Sequence, residues 1–284
     1  MPNILVTGSN GQVGSELQEL ATSNSYNFFF TDKEELDITS KEAIENFCKQ
    51  NDISHIINCA AYTAVDKAQE DKIGADLVNH KAVSFLAEVA KVHNISLVHI
   101  STDYVFDGKN YRPYQEEDLT NHQSVYGQTK LDGEKAMIDI NPKKSIIIRT
   151  SWVYSSYGAN FVKTMLRLAS QRDTLGVIFD QVGTPTYAKD LAKAILEILP
   201  QLQNDTVELY HYANEGVCSW YDFAQAIFEI KNITMKVNPI LTKEYPTPAI
   251  RPHYSVLDKS KIKSNYNITI PYWKESLQQC LELL

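Results

Sequence analysis

Tyr126 and Lys130 are the residues whose types and spacing point most directly to chemistry. They stand four positions apart in a segment of helical character, which places both side chains on one face. A free tyrosine has a pKa of about 10 and is a poor acid at neutral pH. An ammonium about 4 Å away, at an effective dielectric constant near 20, is worth roughly 4 kcal/mol, or about three pKa units. We therefore expect Tyr126 to act as a general acid, with Lys130 lowering its pKa.

Three polar residues after a predicted strand, Ser101, Thr102 and Asp103, extend this candidate catalytic group. The Thr102 hydroxyl is expected to face the same site as Tyr126 and to hydrogen-bond the reacting oxygen. Asp103 is a candidate for holding hydroxyl groups of a substrate. A Ser or Thr at the end of a strand can also be an ordinary cap. The catalytic interpretation therefore depends on the surrounding motifs.

A glycine-rich loop between a predicted strand and a predicted helix indicates dinucleotide binding. Gly8, Gly11 and Gly14 permit a tight turn and let backbone amides approach a pyrophosphate at the positive end of the helix. Their G-x-x-G-x-x-G spacing differs from the ordinary G-x-G-x-x-G fingerprint and resembles that of the short-chain dehydrogenase superfamily. A purely structural turn is the alternative, and the presence of Tyr126 and Lys130 favours the cofactor site.

Asp32 ends the second predicted strand, 18 residues beyond Gly14. An acid at this place usually accepts hydrogen bonds from the adenosine ribose and disfavours a 2′-phosphate. Because Lys33 beside it softens that repulsion, we predict a preference for NADH with use of NADPH still open. A solvated carboxylate at the end of a strand is the alternative interpretation. Asp37 and Ile38 are weaker candidates for contacting adenine.

The elements that must position these residues are predicted to form an α/β fold with a Rossmann-like doubly wound parallel sheet. Short apolar or β-branched runs predict strands at residues 3–7, 27–31, 55–58, 96–100 and 145–149. Helical periodicity predicts helices at residues 12–22, 41–50, 76–93 and 126–140. Ligands of such sheets bind at the carboxyl ends of the strands. The candidate residues above lie in those loops.

The strict alternation of strands and helices fades after Trp152. We expect residues 1–154 to form the dinucleotide-binding core, joined by a returning strand near residues 205–213. Residues 155–284 are expected to form most of a smaller, discontinuous substrate lobe. The proline-rich stretch 245–252 predicts a stiff, extended loop on the surface or along a cleft.

Composition and charge exclude several classes of function. A formal net charge of -8 argues against broad attraction to nucleic acid or to an anionic membrane surface. No apolar run approaches the roughly 20 residues that a membrane span needs, and the N-terminus lacks the pattern of a signal peptide. We therefore expect a cytoplasmic protein. The scattered cysteines predict reduced thiols rather than a metal or redox site; they are Cys48, Cys59, Cys218 and Cys280.

Five segments together resemble the dTDP-4-dehydrorhamnose reductase family of extended short-chain dehydrogenases/reductases, and the resemblance covers essentially the whole chain. The segments are residues 58–66, 101–106, 125–131, 149–154 and 245–252. The resemblance implies NAD(P)H-dependent reduction of the C4 keto group of dTDP-4-dehydro-L-rhamnose to dTDP-L-rhamnose. This sugar nucleotide would serve the synthesis of rhamnose-containing cell-surface polysaccharides.

The resemblance also implies roles for individual residues. Tyr126 would protonate the C4 oxygen while hydride arrives from the nicotinamide, and Lys130 would also hold the nicotinamide ribose. Residues implied for the cofactor are Gly11, Gln12, Val13, Asp32, Asp37, Ile38, Ala61, Tyr62, Thr63 and Ile100. Residues implied for the substrate are Thr102, Asp103 and Trp152. Without the resemblance, the residue type alone would indicate that Trp152 belongs to the core or to an interface.

Some members of the family form dimers in which acidic residues share a magnesium ion. Glu16 matches one such acidic position. Another acidic residue would be needed near position 189, where the sequence has Lys189 followed by Asp190. The sequence is therefore compatible with a homodimer, but it does not favour a Mg²⁺ ion shared between two subunits.

Two alternative functions remain open at this stage. The first is another sugar-nucleotide 4-ketoreductase, a 4,6-dehydratase or an epimerase on the same fold. Dehydratases carry a second acid after the Thr-Asp pair, whereas Tyr104 follows Asp103 here. The second is a non-catalytic regulatory subunit that binds dinucleotide, as a regulatory protein of methionine adenosyltransferase does. The presence of Thr102, Tyr126 and Lys130 together favours an enzyme.

We predict that Asp32→Ala shifts cofactor preference toward NADPH, because the deleted carboxylate would otherwise face the 2′-phosphate. The measurement is kcat/KM for NADH and for NADPH in both proteins, with Asp52→Ala as a control far from the glycine loop in sequence. An unchanged NADPH/NADH ratio would mean that Asp32 is not the ribose partner.

Overall fold

A six-stranded parallel sheet forms the centre of the structure, a computed structural model that describes residues 1–22 and 25–284. Its strands stand in the order β10-β5-β4-β3-β1-β2. In chain order they are β1 (Asn3–Thr7), β2 (Asn27–Thr31), β3 (Ile53–Asn58), β4 (Ser96–Thr102), β5 (Ile146–Thr150) and β10 (Glu208–His211). The order reverses between β1 and β3, which is where this class of sheet opens a ligand crevice.

Helices cover both faces of the sheet, because alternate strand residues point to opposite sides and both sides are apolar. On one face Ile4 and Val6 pack with residues of α1 and α8, and on the other Leu5 packs with residues of α2, α5 and α6. The helices are α1 (Gln12–Ala21), α2 (Lys41–Gln50), α3 (Val65–Ala68), α4 (Lys72–Asp76), α5 (Ala82–His93), α6 (Val125–Ile140), α7 (Phe161–Ala169), α8 (Ala188–Ile198), α9 (Trp220–Ile230), α10 (Ser260–Tyr266) and α11 (Trp273–Glu282).

The C-terminal half builds a separate apolar cluster around α7, α9 and α11, with Phe223 and Leu277 fully buried in it. Short strands accompany it: β6 (Val153–Tyr154), β7 (Thr174–Ile178), β8 (Val182–Gly183), β9 (Thr186–Tyr187), β11 (Cys218–Ser219) and β12 (Lys236–Ile240). The division at residue 154 stays a prediction. Within residues 1–22 and 25–284, no helix has the length and apolar character that a membrane span requires.

The predicted α/β fold with a parallel central sheet is confirmed, and the differences are local. The strand predicted at 96–100 continues to Thr102, so Ser101 and Thr102 belong to the strand rather than following it. The helix predicted to begin at residue 76 begins at Lys72 and passes through a π-helical turn at Leu77–Lys81. The strand predicted near 205–213 is β10, which pairs with β5.

A buried ion pair ties α6 to the sheet. Glu134 Oε2 lies 2.7 Å from Arg149 Nη2, and the two side chains are 1 % and 4 % exposed. Glu134 Oε1 accepts hydrogen bonds from Arg149 Nε and from the Ser101 hydroxyl. The guanidinium also lies 5.0 Å from the centre of the Phe106 ring. Because Ser101 is in β4 and Arg149 in β5, this network fixes where α6 sits on both strands.

We predict that Glu134→Ala lowers the free energy of unfolding by about 3–5 kcal/mol, because it leaves the Arg149 charge buried without a partner. Urea denaturation followed by circular dichroism measures the change. The double variant Glu134→Leu, Arg149→Met should lose less than the single variant, since no charge remains buried. Lys143→Ala breaks the exposed pair with Asp205 and serves as the control, with no measurable change expected. A double variant as unstable as Glu134→Ala would contradict this account.

Candidate active site

A cavity of about 970 Å³ opens at the carboxyl ends of the central strands. Every residue predicted to contact the cofactor or the substrate lines it, with the exception of Gly14. The structure thus brings the glycine loop, the end of β4 and the start of α6 to one place. The roles of the individual residues stay predictions.

The glycine loop needs its glycines for close backbone packing. Gly8 has a φ of +65°, and a Cβ there would lie 2.6 Å from the backbone of Ala60. A Cβ on Gly14 would lie 2.5 Å from the Gly8 carbonyl oxygen, so Gly14 supports the loop from beneath. Gly11 is the N-cap of α1 and has no side chain to cover the first amides of the helix. These amides fit the pyrophosphate of a dinucleotide.

Asp32 stands at the rim of this loop. Its Oδ2 accepts a hydrogen bond from the Asn10 amide at 3.3 Å, and its Oδ1 accepts from the Lys33 amide at 2.8 Å. The carboxylate therefore lies beside the glycine loop, as a ribose partner requires. Asp37 is engaged differently, because its Oδ1 accepts from the backbone amide and the hydroxyl of Thr39, which lowers the pKa of its carboxyl.

Tyr126 occupies the first turn of α6, beneath the cavity. The helix begins with Ser124, whose side chain accepts a hydrogen bond from the Gly127 amide. A Cβ on Gly127 would lie 2.2 Å from the Tyr104 carbonyl oxygen, so only glycine lets α6 approach the loop after β4 this closely. The Tyr104 and Tyr126 rings meet edge to face, with 5.3 Å between their centres. These contacts fix the phenol at the cavity wall.

The expectation that Lys130 lowers the pKa of Tyr126 is wrong. Burial raises the pKa of Tyr126 to about 12, although a hydrogen bond with Thr102 opposes the rise. Lys130 Nζ instead donates to the Ile100 carbonyl oxygen at 2.7 Å. Burial lowers the pKa of Lys130 to about 8, and the charge of Glu134 one turn later opposes this fall. Removal from water thus sets the Tyr126 pKa, and the hydrogen bond with Thr102 offsets it only in part.

Asp103 is a buried carboxyl group with one oxygen that can still accept a hydrogen bond. Its Oδ1 accepts from the Thr102 hydroxyl at 3.1 Å, while Oδ2 has no hydrogen-bond partner of good geometry among the described residues. Burial raises the pKa of Asp103 to about 7, which the hydroxyls of Thr102 and Ser255 partly oppose. A group of this kind can accept from, or donate to, a sugar hydroxyl.

Trp152 lies at the far wall of the cavity in a strained conformation. Its φ is +50°, a region that bulky residues rarely adopt. The indole stacks on Trp220 with 3.6 Å between ring centres, and it packs so closely on Gly183 that a Cβ there would lie 2.7 Å from it. Strain of this kind persists only where the surroundings hold it. Trp220 therefore belongs to the support of the site, which the sequence did not indicate.

A second addition to the site is an ion pair between α3 and the proline-rich loop. Arg251 Nη2 lies 2.7 Å from Asp66 Oδ2, and the Ala249 amide donates to Asp66 Oδ1. This pair fastens the loop near Tyr104, whose pKa responds to the Arg251 charge. The residues lie 185 positions apart, so no local pattern could have paired them.

Comparison with known proteins places the chain in a family. The family model described as "RmlD substrate binding domain" matches residues 2–284. A dTDP-4-dehydrorhamnose reductase of Aggregatibacter actinomycetemcomitans is 43% identical over 98% of both chains. This chain belongs to the dTDP-4-dehydrorhamnose reductase family.

Solved structures of the family agree with the fold. The dTDP-4-dehydrorhamnose reductase of Clostridium acetobutylicum is 42% identical over 99% of both chains, with a TM-score of 0.94. That of Bacillus anthracis, solved in complex with NADP, is 35% identical over the full length of both chains, with a TM-score of 0.95. Family membership and the geometry of the cavity therefore point to the same kind of ligand, a nicotinamide dinucleotide.

The acidic position that the family resemblance linked to a shared magnesium ion is engaged through one oxygen, while Glu16 Oε2 has no hydrogen-bond partner among the described residues. Glu16 is buried and accepts a hydrogen bond from the Ser155 hydroxyl at 2.6 Å. Lys189 pairs with Glu19, and Asp190 accepts from Ser276 in the interior. Across residues 1–22 and 25–284, no group of three or more His, Cys, Asp or Glu side chains could hold a metal ion. The expectation against an ion shared between two chains stays a prediction.

For this member of the reductase family we predict that Tyr126→Phe lowers kcat by about 100-fold or more and leaves cofactor affinity unchanged. Only the proton donor is removed, and the ring contacts remain. The oxidation of NADH gives kcat, and quenching of protein fluorescence gives the dissociation constant. Tyr104→Phe removes the neighbouring phenol and should cost less than about tenfold, the worth of a hydrogen bond. Near-normal turnover of Tyr126→Phe would remove it from the mechanism.

Proposed function

We propose that the protein is an NAD(P)H-dependent oxidoreductase that reduces the C4 keto group of dTDP-4-dehydro-L-rhamnose to dTDP-L-rhamnose. The product would serve the synthesis of rhamnose-containing cell-surface polysaccharides. The observation that carries this proposal is the meeting of Thr102, Tyr126 and Lys130 with the glycine loop in one cavity. Relatives that bear the name of this enzyme match the chain over its full length.

The dinucleotide is held by the core. The free amides at the start of α1 would bind its pyrophosphate, Asp32 its adenosine ribose and Lys130 its nicotinamide ribose. A reduced nicotinamide, when bound, supplies the hydride for C4. Ser101 and Thr102, which line the cavity at the end of β4, are both buried.

Tyr126 delivers the proton. Because its pKa is raised to about 12, the phenol stays protonated across the physiological range, ready to donate. Its acceptor is the C4 oxygen, which becomes an alkoxide as hydride is added and is then a stronger base than a phenolate. The Thr102 hydroxyl, whose hydrogen bond opposes the rise in the Tyr126 pKa, can stabilise the phenolate that remains.

Asp103 and Trp152 would orient the sugar. The unused acceptor of Asp103 suits a ring hydroxyl, and the Trp152 indole adds apolar surface to the cavity wall. Tyr104 takes the place of the second acid of dehydratases, and burial raises the pKa of its phenol far above neutrality. A protonated phenol cannot remove the C5 proton, so this group supports reduction rather than elimination of water.

Three finer parts of the proposal follow from the sequence and the site. The carboxylate of Asp32 beside the glycine loop favours NADH over NADPH, with Lys33 moderating the preference. The protein would work in the cytoplasm. It would act as a monomer or a homodimer, and the residues of one chain alone would not bind a Mg²⁺ ion.

The test is one of reaction type. We expect dTDP-4-dehydro-L-rhamnose and NADH to yield dTDP-L-rhamnose, while dTDP-glucose and oxidised cofactor yield no 4-keto-6-deoxy sugar. Mass spectrometry identifies the products, and UDP- and GDP-linked 4-keto-6-deoxy sugars test the choice of base. Dehydration at rates comparable with reduction would favour the dehydratase alternative. Binding of dinucleotide without turnover of any keto sugar would favour the regulatory subunit.

A further inference from the structure

His99 is a histidine at the centre of the sheet for which the reaction above has no use. It lies in β4, is 0 % exposed, and directs its Nε2 toward Lys130 Nζ at 3.4 Å. The same Nζ donates to the carbonyl oxygen of the next residue, Ile100. His99 therefore lies within hydrogen-bond distance of the Lys130 ammonium.

The other nitrogen of His99 begins a buried chain of hydrogen bonds. Nδ1 lies 3.0 Å from Asn58 Nδ2, and Asn58 Oδ1 accepts a hydrogen bond from the Thr7 hydroxyl at 2.7 Å. Both of these residues are 1 % exposed. They end the neighbouring strands β3 and β1, so the chain runs across the sheet from β4 toward the base of the glycine loop.

The donors and acceptors along this chain constrain one another. An ammonium has three N–H groups and no lone pair, so Lys130 can only donate to His99. Nε2 can accept only when the imidazole proton is on Nδ1. The opposite tautomer would set Nε2–H against the ammonium, so that two donors face each other between two buried side chains.

The partner of Nδ1 can meet this requirement. The structure places Asn58 Nδ2 toward Nδ1, and a half-turn of the amide, which keeps its shape, brings the oxygen toward Nδ1 instead. Its nitrogen then faces the Thr7 hydroxyl, which accepts as well as it donates. Both contacts keep their distances, and only the Thr7 hydroxyl proton needs another acceptor. The chain can therefore run from Lys130 through His99 to Asn58 with each group donating to the next.

The charge state of the imidazole agrees with this direction. Burial and the nearby Lys130 charge hold the pKa of His99 far below its usual value, so the ring is neutral. The ionisable groups that act on Lys130 from the elements around it are Glu134 and Cys59, besides His99. Of these, only His99 is close enough to hydrogen-bond Nζ.

We propose that His99 is a positioning residue for Lys130, carrying its proton on Nδ1 and accepting a hydrogen bond from the ammonium through Nε2. Two N–H groups of Lys130 are then anchored, by Ile100 and by His99, and the third is left for the cavity that Lys130 also lines. Loss of the Nε2 acceptor would favour the neutral amine, so Lys130 would lose its proton at lower pH. The effect on turnover rests on the proposed function, whereas the hydrogen bond itself does not.

The tautomer gives the first test, and it uses the wild-type protein. Nitrogen NMR of the protein with ¹⁵N-labelled histidine at pH 6.5 separates protonated from unprotonated ring nitrogens, and His99→Gln identifies the His99 signals. We expect a neutral ring with the proton on Nδ1. A proton on Nε2, or on both nitrogens, would overturn the proposal.

The titration of Lys130 gives the second test. In protein with ¹³Cε-labelled lysine, Lys130→Met identifies the Lys130 signal, and its midpoint is followed with pH. His99→Leu should lower the midpoint by about one pH unit, the effect of losing a hydrogen bond to a charged group. His99→Gln, whose amide oxygen can accept, should recover much of the shift. His55→Leu, a change to a half-buried histidine on β3, should leave the midpoint unchanged. Equal midpoints in His99→Leu and wild type would contradict the proposal.

The dependence of kcat on pH separates positioning from simple support of the fold. Activity that needs the Lys130 ammonium falls as pH rises through the Lys130 pKa, so His99→Leu should lose activity at lower pH than wild type. A purely structural role would reduce kcat by the same factor at every pH. If wild-type protein shows no reductase activity, the proposed function fails while both NMR measurements still decide the role of His99.

Discussion

The ammonium group of Lys130 is buried, and the residues around it must compensate its charge. The side chain is 1 % exposed, and a charge removed from water needs partners that compensate. The Ile100 carbonyl accepts from Nζ, and Glu134 supplies negative charge one turn further along α6. Glu134 in turn is paired with Arg149 in β5. Helix α6 can therefore dock only where both strands present these partners, so the stability of the fold and the proposed chemistry depend on the same residues.

The parts of the molecule that the sequence predicted are those with local causes. The first two strands have the predicted bounds, because continuous apolar runs between polar turns leave little choice of register. The cavity could be placed because parallel strands bring their carboxyl ends to one edge. Gly14 shows the limit of a motif, since it belongs to the glycine pattern yet supports the loop from below rather than lining the cavity.

The parts that could not be predicted depend on burial and on partners far apart in the chain. Spacing placed Tyr126 and Lys130 on one face, but the distance-based expectation for the Tyr126 pKa left out the removal of the phenol from water, which raises that pKa. Asp66 and Arg251 meet only after the C-terminal loop has folded back over the core. The support of Trp152 by Trp220 likewise joins elements without a shared sequence pattern.

The contact between Gly183 and Trp152 has an evolutionary consequence. A side chain at position 183 would press on the indole, which already holds a strained backbone and rests on Trp220. These three positions therefore cannot vary independently: a change tolerated at one depends on what occupies the other two. Because of this epistasis, a change of substrate specificity at the far wall of the cavity would need correlated replacements at these positions rather than single substitutions.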